Sequence, residues 1–214
     1  MIHLLSQGYY AVFVFVLFAL VFSLTFHEFG HARMAYQYGD DTAKRAGRMS
    51  LNPLVHIDPL GLLMVIVIGF GFAKPVPIDP RKFNSFWGEL CVAAAGPGMN
   101  FLMALVVINF YAYGLMQGWP VFASESAEFF FTYLAQINLL LMVFNLLPIG
   151  ALDGHYILPY FLPRQLARSY VMFNAQYGNW MLLGLVAASY FGVPIFKYLL
   201  MLGQYLLSVI VFIH

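Results

Sequence analysis

The stretch SLTFHEFGHARMAYQYG, residues 23–39, continues directly from the apolar run YYAVFVFVLFALVF, residues 9–22. Together they predict one apolar helix long enough to cross a bilayer, which takes roughly 20 residues. This helix nevertheless contains His27, Glu28 and His31. An ionisable side chain inside a membrane span costs at least about 2.5–3.5 kcal/mol and by default marks a functional site. Three such residues within five positions therefore need a chemical explanation.

The composition of the whole chain is that of a helical integral membrane protein. Of its 214 residues, 62% are hydrophobic and only 9% are charged. A water-soluble domain of this size could not cover its surface with so few charges, and its long apolar segments favour membrane helices. The net charge of +1 argues against nucleic-acid binding, which needs a concentrated basic patch. The single cysteine, Cys91, excludes an internal disulfide and a cysteine-based metal cluster.

The apolar pattern predicts an all-α membrane protein with about five transmembrane helices. The predicted spans cover about residues 9–38, 88–113, 129–147, 177–191 and 193–212. No basic region precedes the first of them, so we expect a retained span and not a signal peptide. Residues 60–73, LGLLMVIVIGFGFA, are apolar but too short to cross. Their β-branched residues and glycines favour a re-entrant segment between the first and second spans, with a β-hairpin as one form of it.

The distribution of basic residues predicts the orientation in the membrane. Nine of the ten lysines and arginines fall on one side if residues 60–73 do not cross, and Lys197 alone lies toward the other side. Because basic loops stay in the cytoplasm, the N-terminus is expected outside and the C-terminus inside. The loops 39–59 and 149–176 are then cytoplasmic.

The pattern HEFGH has the spacing of a metal site. Residues four apart share one face of a helix, with their Cβ atoms roughly 5–6 Å apart. His27 and His31 can therefore bind one metal ion, while Glu28 reaches a metal-bound water. This is the HExxH arrangement of two imidazole ligands and a carboxylate general base. The alternative, a histidine hydrogen-bonded in a helical core, would require the match to arise by accident in a span where polar groups are costly.

A catalytic zinc needs a third protein ligand and one open position. The candidates are Asp153, His155, Asp58 and His56. Asp153 is favoured because the sequence LDG follows an apolar run that has no other reason to carry a carboxylate. The predicted directions of the first and third spans also place His31 and Asp153 toward the same face. Asp58 is more easily explained as a turn residue, and the two other histidines as structural groups or as supports of the ligands.

Five segments then follow one another in a recognisable order. They are HEFGHA at 27–32, RMSLNPLVHIDPLG at 48–61, GFAKPVPIDPRKF at 71–83, AAAGPGMNF at 93–101 and NLLPIGALDG at 145–154. The order resembles the site-2 protease family of intramembrane zinc metalloproteases, peptidase family M50, in its compact bacterial form without a PDZ or CBS domain. The resemblance implies one transmembrane peptidase domain over residues 1–214, with a site-2-protease-like core at about 9–160 and accessory helices at about 177–213.

The resemblance also implies roles for individual residues. His27, His31 and Asp153 would bind one zinc ion per chain, and Glu28 would activate the zinc-bound water. The protein would be an intramembrane zinc metalloprotease that hydrolyses peptide bonds in or near transmembrane segments. Its partners would be single-span membrane proteins and the lipid bilayer. Its location would be the inner membrane of a bacterium, as a multi-pass protein whose active site opens toward the cytoplasm.

Two asparagines and one glycine complete the comparison with the family. Asn100 in GPGMN and Asn145 in NLLP would line the site and could hydrogen-bond the substrate or the developing oxyanion. Helix–helix hydrogen bonding is the alternative role for both. The family usually has proline where Gly150 stands, which would change how the carboxylate of LDG is presented without removing a ligand.

Two rival functions predict different features. A non-proteolytic membrane protein that retains a zinc site should bind zinc without depending on Glu28, which is not a ligand. A metal transporter should repeat polar residues through several spans, whereas the fourth and fifth predicted spans contain no Asp, Glu or His.

For a protease, the stretch 64–79 is the candidate edge that holds an unwound substrate by strand addition, and a purely structural loop is the alternative.

Overall fold

The computed structural model describes residues 1–69 and 71–213, without the side chain of Tyr190. Phe70, inside the predicted re-entrant segment, and His214 lie outside the described residues. The chain divides into two compact units, Met1–Gly88 and Glu89–His214. The helices of the first unit are α1 (Ile2–Ser6), α2 (Tyr10–Gln37), α3 (Thr42–Arg45) and α4 (Pro59–Ile68). Those that follow are α5 (Gly88–Met116), α6 (Glu125–Asn145), α7 (Gly154–Ile157), α8 (Arg164–Tyr190) and α9 (Ile195–Ile210).

Within the part of the chain that the structure describes, three helices, α2, α5 and α6, are long and apolar enough to cross a membrane. They confirm the first three predicted spans, with bounds shifted by at most a few residues. The 28 residues of α2 extend over about 42 Å at 1.5 Å per residue, more than the roughly 30 Å hydrocarbon core. The apolar sequence of α2 therefore correctly predicts a helix that can span a membrane and that carries the HEFGH motif.

The last two predicted spans correspond to α8 and α9. The stretch 177–191 covers the second half of α8 and the capping residue Phe191. Helix α8 is a continuous 27-residue helix whose first half contains Arg164 and Arg168. Helix α9 is apolar but has 16 residues, about 24 Å of helix. The prediction of about five spans thus depends on two helices that are less apolar or shorter than α2, α5 and α6.

The expectation of a strand-like segment within 60–73 was wrong for its first part, which is the helix α4. The Asp58 carboxylate accepts a hydrogen bond from the Gly61 N–H at 2.9 Å, and Pro59 occupies the first helical position. An Asp cap followed by proline is a strong helix start and here outweighs the β-branched residues. The helix ends at Gly69, whose φ of +86° is a left-handed cap that glycine adopts readily.

The chain then doubles back along α4 without forming a strand in its described part. A Cβ atom added to Gly61 would lie 2.0 Å from the Phe72 carbonyl oxygen, and one on Gly71 would lie 2.1 Å from the Gly61 oxygen. Only glycine permits so close an approach of two backbones. The ten residues of α4 are about 15 Å long, half of a bilayer core.

The second unit has its own apolar core, in which α5, α6 and α9 take part. Buried side chains from these helices and from the turn before α6 pack together; they are Ala104, Ile108, Tyr111, Phe122, Ala135, Leu139 and Ile210. Pro97 lies inside α5. After α6 the chain runs through a short loop to α7, and this loop carries the LDG motif.

Candidate metal centre

The two histidines of HEFGH face each other inside the first unit. His27 is 4% exposed and His31 is 6% exposed. Their Nε2 atoms lie 3.0 Å apart. Two nitrogens bound to one tetrahedral zinc at roughly 2.0–2.1 Å would be about 3.3 Å apart. The donor atoms, their burial and their separation therefore fit a shared zinc ion, as the spacing of the motif predicts.

Glu28 is held by a segment far away in the sequence. Its Oε2 atom accepts a hydrogen bond from the Val76 N–H at 3.0 Å, and the side chain is half-buried. A carboxylate offers about four lone-pair positions, so this bond leaves it able to accept a proton. The neighbour of the two histidines is thus an oriented acceptor, which is what a general base requires.

The segment that holds Glu28 is itself anchored by a buried arginine. Arg48 is 6% exposed, and its Nη1 donates to the Pro75 carbonyl at 3.1 Å while its Nη2 donates to the Lys74 carbonyl. The Lys74 N–H in turn donates to the His56 carbonyl at 2.8 Å. Sequence reasoning missed this role of Arg48; the available signal was an arginine opening the quoted segment RMSLNPLVHIDPLG.

The far end of the same segment is anchored at the end of α2. Asp40 is fully buried, and its Oδ2 accepts a hydrogen bond from the Asp79 N–H at 2.7 Å. Burial alone would raise the pKa of Asp40. The hydrogen bonds from Thr42 and from the Asp79 N–H, with the nearby Lys82 ammonium, outweigh that effect and lower the pKa below its ordinary value. Asp40 is therefore ionised at neutral pH and holds the segment through its charge.

Two of the candidates for the third zinc ligand, His56 and Asp58, lie in the first unit and have structural partners there. His56 is 2% exposed, with its Nε2 atom 2.8 Å from the Ser50 carbonyl oxygen. Asp58 caps α4, in agreement with its interpretation as a turn residue. Both residues therefore shape the segment that returns toward Glu28.

Asp153 lies in the second unit, at the start of α7. The side chain is half-buried, and its backbone carbonyl accepts the Tyr156 N–H at 2.9 Å. The next residue must be glycine, because a Cβ atom on Gly154 would lie 2.2 Å from the Leu146 carbonyl oxygen. The same unit contains His155, whose Nδ1 is 3.4 Å from the Tyr170 hydroxyl.

The two asparagines proposed for the site have hydrogen-bond partners within the second unit. Asn100 is fully buried and donates to the Asn138 side-chain oxygen at 2.9 Å, which links α5 to α6. Asn145 donates to the Leu141 carbonyl of its own helix at 2.9 Å. Sequence reasoning missed Asn138. These bonds support the helix-packing role that was the alternative for Asn100.

Gly150 adopts a conformation that explains the departure from the family pattern. Its φ is +63°, whereas proline fixes φ near −65°. A Cβ atom there would also lie 2.9 Å from Leu182 Cβ. The loop before Asp153 therefore has a different backbone course from one built around proline at this position.

Comparison with known proteins agrees with the motifs. The model of peptidase family M50 matches residues 15–119 and 116–185. YwhC of Bacillus subtilis, named as a zinc metalloprotease, is 39% identical over 154 residues, covering 70% of this chain and 69% of that protein. Rip2 of Mycolicibacterium smegmatis, named likewise, is 32% identical over 153 residues, covering 69% of this chain and 57% of that protein. Rip2 of Mycobacterium tuberculosis is 33% identical over 153 residues. No solved structure gives a significant match.

The matched residues include HEFGH on α2, GPGMN on α5 and LDG before α7. They also include α5, α6 and all of α2 except its first five residues, which are the helices of the described chain that can cross a membrane. The protein is therefore an integral membrane protein, and it belongs to peptidase family M50, the family of membrane zinc metalloproteases that its motifs resemble.

Proposed function

We propose that this protein is an intramembrane zinc metalloprotease that hydrolyses peptide bonds in or near transmembrane segments of other membrane proteins, with Glu28 as the general base. One observation carries the proposal. Two buried imidazoles face each other at 3.0 Å on an apolar helix, and the carboxylate between them in sequence is oriented by the Val76 N–H.

One zinc ion per chain would be held by His27, His31 and Asp153. The buried imidazole pair supports the first two ligands, and the position of LDG within the family match supports the third. A zinc ion there would supply Lewis acidity, which polarises a carbonyl and lowers the pKa of water to about 7. Both histidines are nearly inaccessible to solvent, so their side chains are held in place by the surrounding packing.

Glu28 would carry the protons of the reaction. Its carboxylate accepts a proton from the attacking water and later returns it to the leaving amine. The hydrogen bond from the Val76 N–H restricts the rotation of the side chain, so less freedom is lost when the reaction geometry forms. Arg48 would stabilise this arrangement, because it donates hydrogen bonds to the carbonyls of Lys74 and Pro75, the two residues that precede Val76.

The depth of the histidines supports cleavage within the membrane. His31 precedes the end of α2 at Gln37 by six residues and His27 by ten, or roughly 9 and 15 Å along the helix. Basic residues, including Lys44, Arg45 and Arg48, follow that end. This supports a cytoplasmic opening with the N-terminus outside. The similarity to YwhC and Rip2, which are bacterial proteins, supports the cell membrane of a bacterium as the location.

The substrates would be single-span membrane proteins. Their peptide bonds are protected by helical hydrogen bonds, so the segment must unwind before attack. The predicted edge for the unwound chain was 64–79, but residues 64–68 belong to helix α4. The proposed edge is therefore the non-helical stretch 71–79, which contains the residue that holds Glu28. Asn100 and Asn145, which the family resemblance places in the site, would line it and could hydrogen-bond the substrate or the oxyanion.

The alternative is a non-proteolytic membrane protein that retains the zinc site. The orientation of Glu28 by the Val76 N–H favours the protease. Hydrolysis requires an oriented general base beside the metal ligands, whereas zinc binding alone does not. The two functions also differ in an observable product.

The proposal is tested with the full chain purified in detergent. Zinc per chain is measured for the wild type, His31→Ala and Asp153→Ala, and each protein is incubated with a panel of single-span membrane proteins. We expect about one zinc in the wild type and less in both variants, with cleavage sites mapped by mass spectrometry inside the substrate span. A wild type without zinc, or a zinc-loaded wild type that leaves every span intact, would contradict the proposal.

A further inference from the structure

The loop between α6 and α7 has few bonds of its own that could fix its shape. Within residues 146–152, the Ile149 N–H donates to the Leu147 carbonyl and the Leu152 N–H to the Ile149 carbonyl. The loop reaches Asp153 through Gly150, whose φ is +63°. Glycine is the residue with the greatest backbone freedom. Something outside the loop must therefore hold Gly150 in this conformation.

The Asn174 side chain on α8 forms hydrogen bonds with both the N–H and the carbonyl of Gly150. Its Oδ1 accepts the Gly150 N–H at 3.1 Å, and its Nδ2 donates to the Gly150 carbonyl at 3.0 Å. The Asn174 side chain is buried, with 6% exposure. A side-chain amide is the group that can pair with both an N–H and a C=O of one residue. Gly150 lies three positions before Asp153 in the sequence.

The helix around Asn174 is adapted to this contact. A Cβ atom on Gly178, one turn further along α8, would lie 2.4 Å from the Asn174 Oδ1. Glycine is unfavourable inside a helix, yet only glycine leaves room here for the amide. One turn before, the Tyr170 hydroxyl donates to the Pro148 carbonyl at 2.8 Å. Helix α8 thus holds the loop at Pro148 and at Gly150.

We propose that Asn174 is a positioning residue that fixes the loop carrying Asp153, so that zinc affinity depends on α8. The inference rests on the proposed role of Asp153 as a zinc ligand. It assigns a function to the part of α8 that precedes the predicted accessory helices at about 177–213. Residues that orient metal ligands typically change metal affinity by 10- to 100-fold when they are mutated.

A clamp that served only the stability of the second unit would behave differently, and the chain offers a matched control. Asn109 on α5 makes the same kind of double contact, from its Nδ2 to the Ile210 carbonyl at 2.7 Å and from the Phe212 N–H to its Oδ1 at 2.8 Å. These hydrogen bonds join α5 to the end of α9. Asn109→Ala therefore removes an equivalent amide at another place.

The experiment compares Asn174→Ala, Gly178→Ala, Asn109→Ala and Asp153→Ala as full chains in detergent. The dissociation constant for zinc is measured by competition with a chromogenic chelator, and the Tm of each zinc-free protein is measured in parallel. We expect roughly 10-fold weaker zinc binding for Asn174→Ala and Gly178→Ala. Asn109→Ala should lower the Tm with zinc affinity within about twofold of the wild type.

Each result decides the inference. Wild-type affinity in Asn174→Ala or Gly178→Ala, beside weakened binding in Asp153→Ala, would overturn the positioning role alone. Equal weakening in Asn174→Ala and Asn109→Ala would show a general effect of stability and overturn it as well. Unchanged affinity in Asp153→Ala would refute the proposed ligand set and the inference with it. If Asn174→Ala does not fold, Gly178→Ala tests the same contact by crowding the amide.

Discussion

Replacing Arg48 should reduce catalysis without removing the metal. Its guanidinium bonds to the Lys74 and Pro75 carbonyls, directly before the residue whose N–H holds Glu28. Arg48→Ala deletes both bonds and frees residues 74–76 to move. The imidazole pair of His27 and His31 lies on α2 and does not depend on these carbonyls, so zinc binding should persist.

The expected size of the effect follows from these contacts. A hydrogen bond from a charged group contributes about 1.5–3 kcal/mol, so the segment loses roughly 3–6 kcal/mol of local stabilisation if both bonds count in full. A displacement of about 1 Å at a reacting group can cost roughly 100-fold in rate. We therefore expect kcat to fall by about 100-fold in Arg48→Ala. Arg48→Lys, which keeps the charge but can reach one carbonyl at a time, should lie between this variant and the wild type.

The assay is cleavage of one single-span substrate under single-turnover conditions, with zinc per chain measured in the same preparations. Arg45→Ala is the matched control, because Arg45 is 75% exposed and pairs with Asp41 at the surface; exposed pairs contribute about 0–1 kcal/mol. A wild-type rate in Arg48→Ala would refute the idea that this segment orients Glu28. Loss of zinc together with activity would show that Arg48 acts through the fold as a whole.

Two further predictions concern the buried anchors. Asp40 has a lowered pKa, so its stabilisation is complete above the ordinary value near 3.8 and is lost as the pH falls through the lower folded-state pKa. Asp40→Asn should therefore lower the Tm at pH 7, and its Tm should change less with pH below about 4 than the Tm of the wild type does. Curves of Tm against pH that run parallel for the two proteins would contradict this. Gly150→Pro replaces a φ of +63° and removes the N–H that Asn174 accepts. It should destabilise the protein by about 3 kcal/mol in a denaturant titration. Gly184→Pro, within α8 of the same unit, shows for comparison what proline costs inside a helix; unchanged stability in Gly150→Pro would mean that the loop adapts.

The sequence predicted the features that depend on residues close together in the chain. A continuous apolar run was enough to place α2, and the i, i+4 spacing of His27 and His31 was enough to predict that their rings face each other. The helix α4 was missed because its β-branched residues were weighted above the start signal of Asp58 followed by Pro59. That signal was present and predicts the observed cap.

The residues that hold the site were not predictable in this way. Arg48 acts on residues 26 and 27 positions away, Val76 acts on Glu28 across 48 positions, and Asn174 acts on Gly150 across 24. No periodic pattern connects such pairs, because their proximity arises only when the chain folds. Gly150 was noted as a departure from the family pattern, but its left-handed conformation and its partner became visible only in the structure.

The most direct test of the central claim is a comparison of the wild type with Glu28→Gln. Glutamine keeps the size of the side chain and an oxygen that can accept the Val76 N–H, but it cannot accept a proton from water. We predict about one zinc per chain in both proteins and a rate of substrate cleavage lower by roughly 100- to 10,000-fold in Glu28→Gln. A zinc-loaded Glu28→Gln variant that cleaves at the wild-type rate would contradict the assignment of Glu28 as the base of an intramembrane protease.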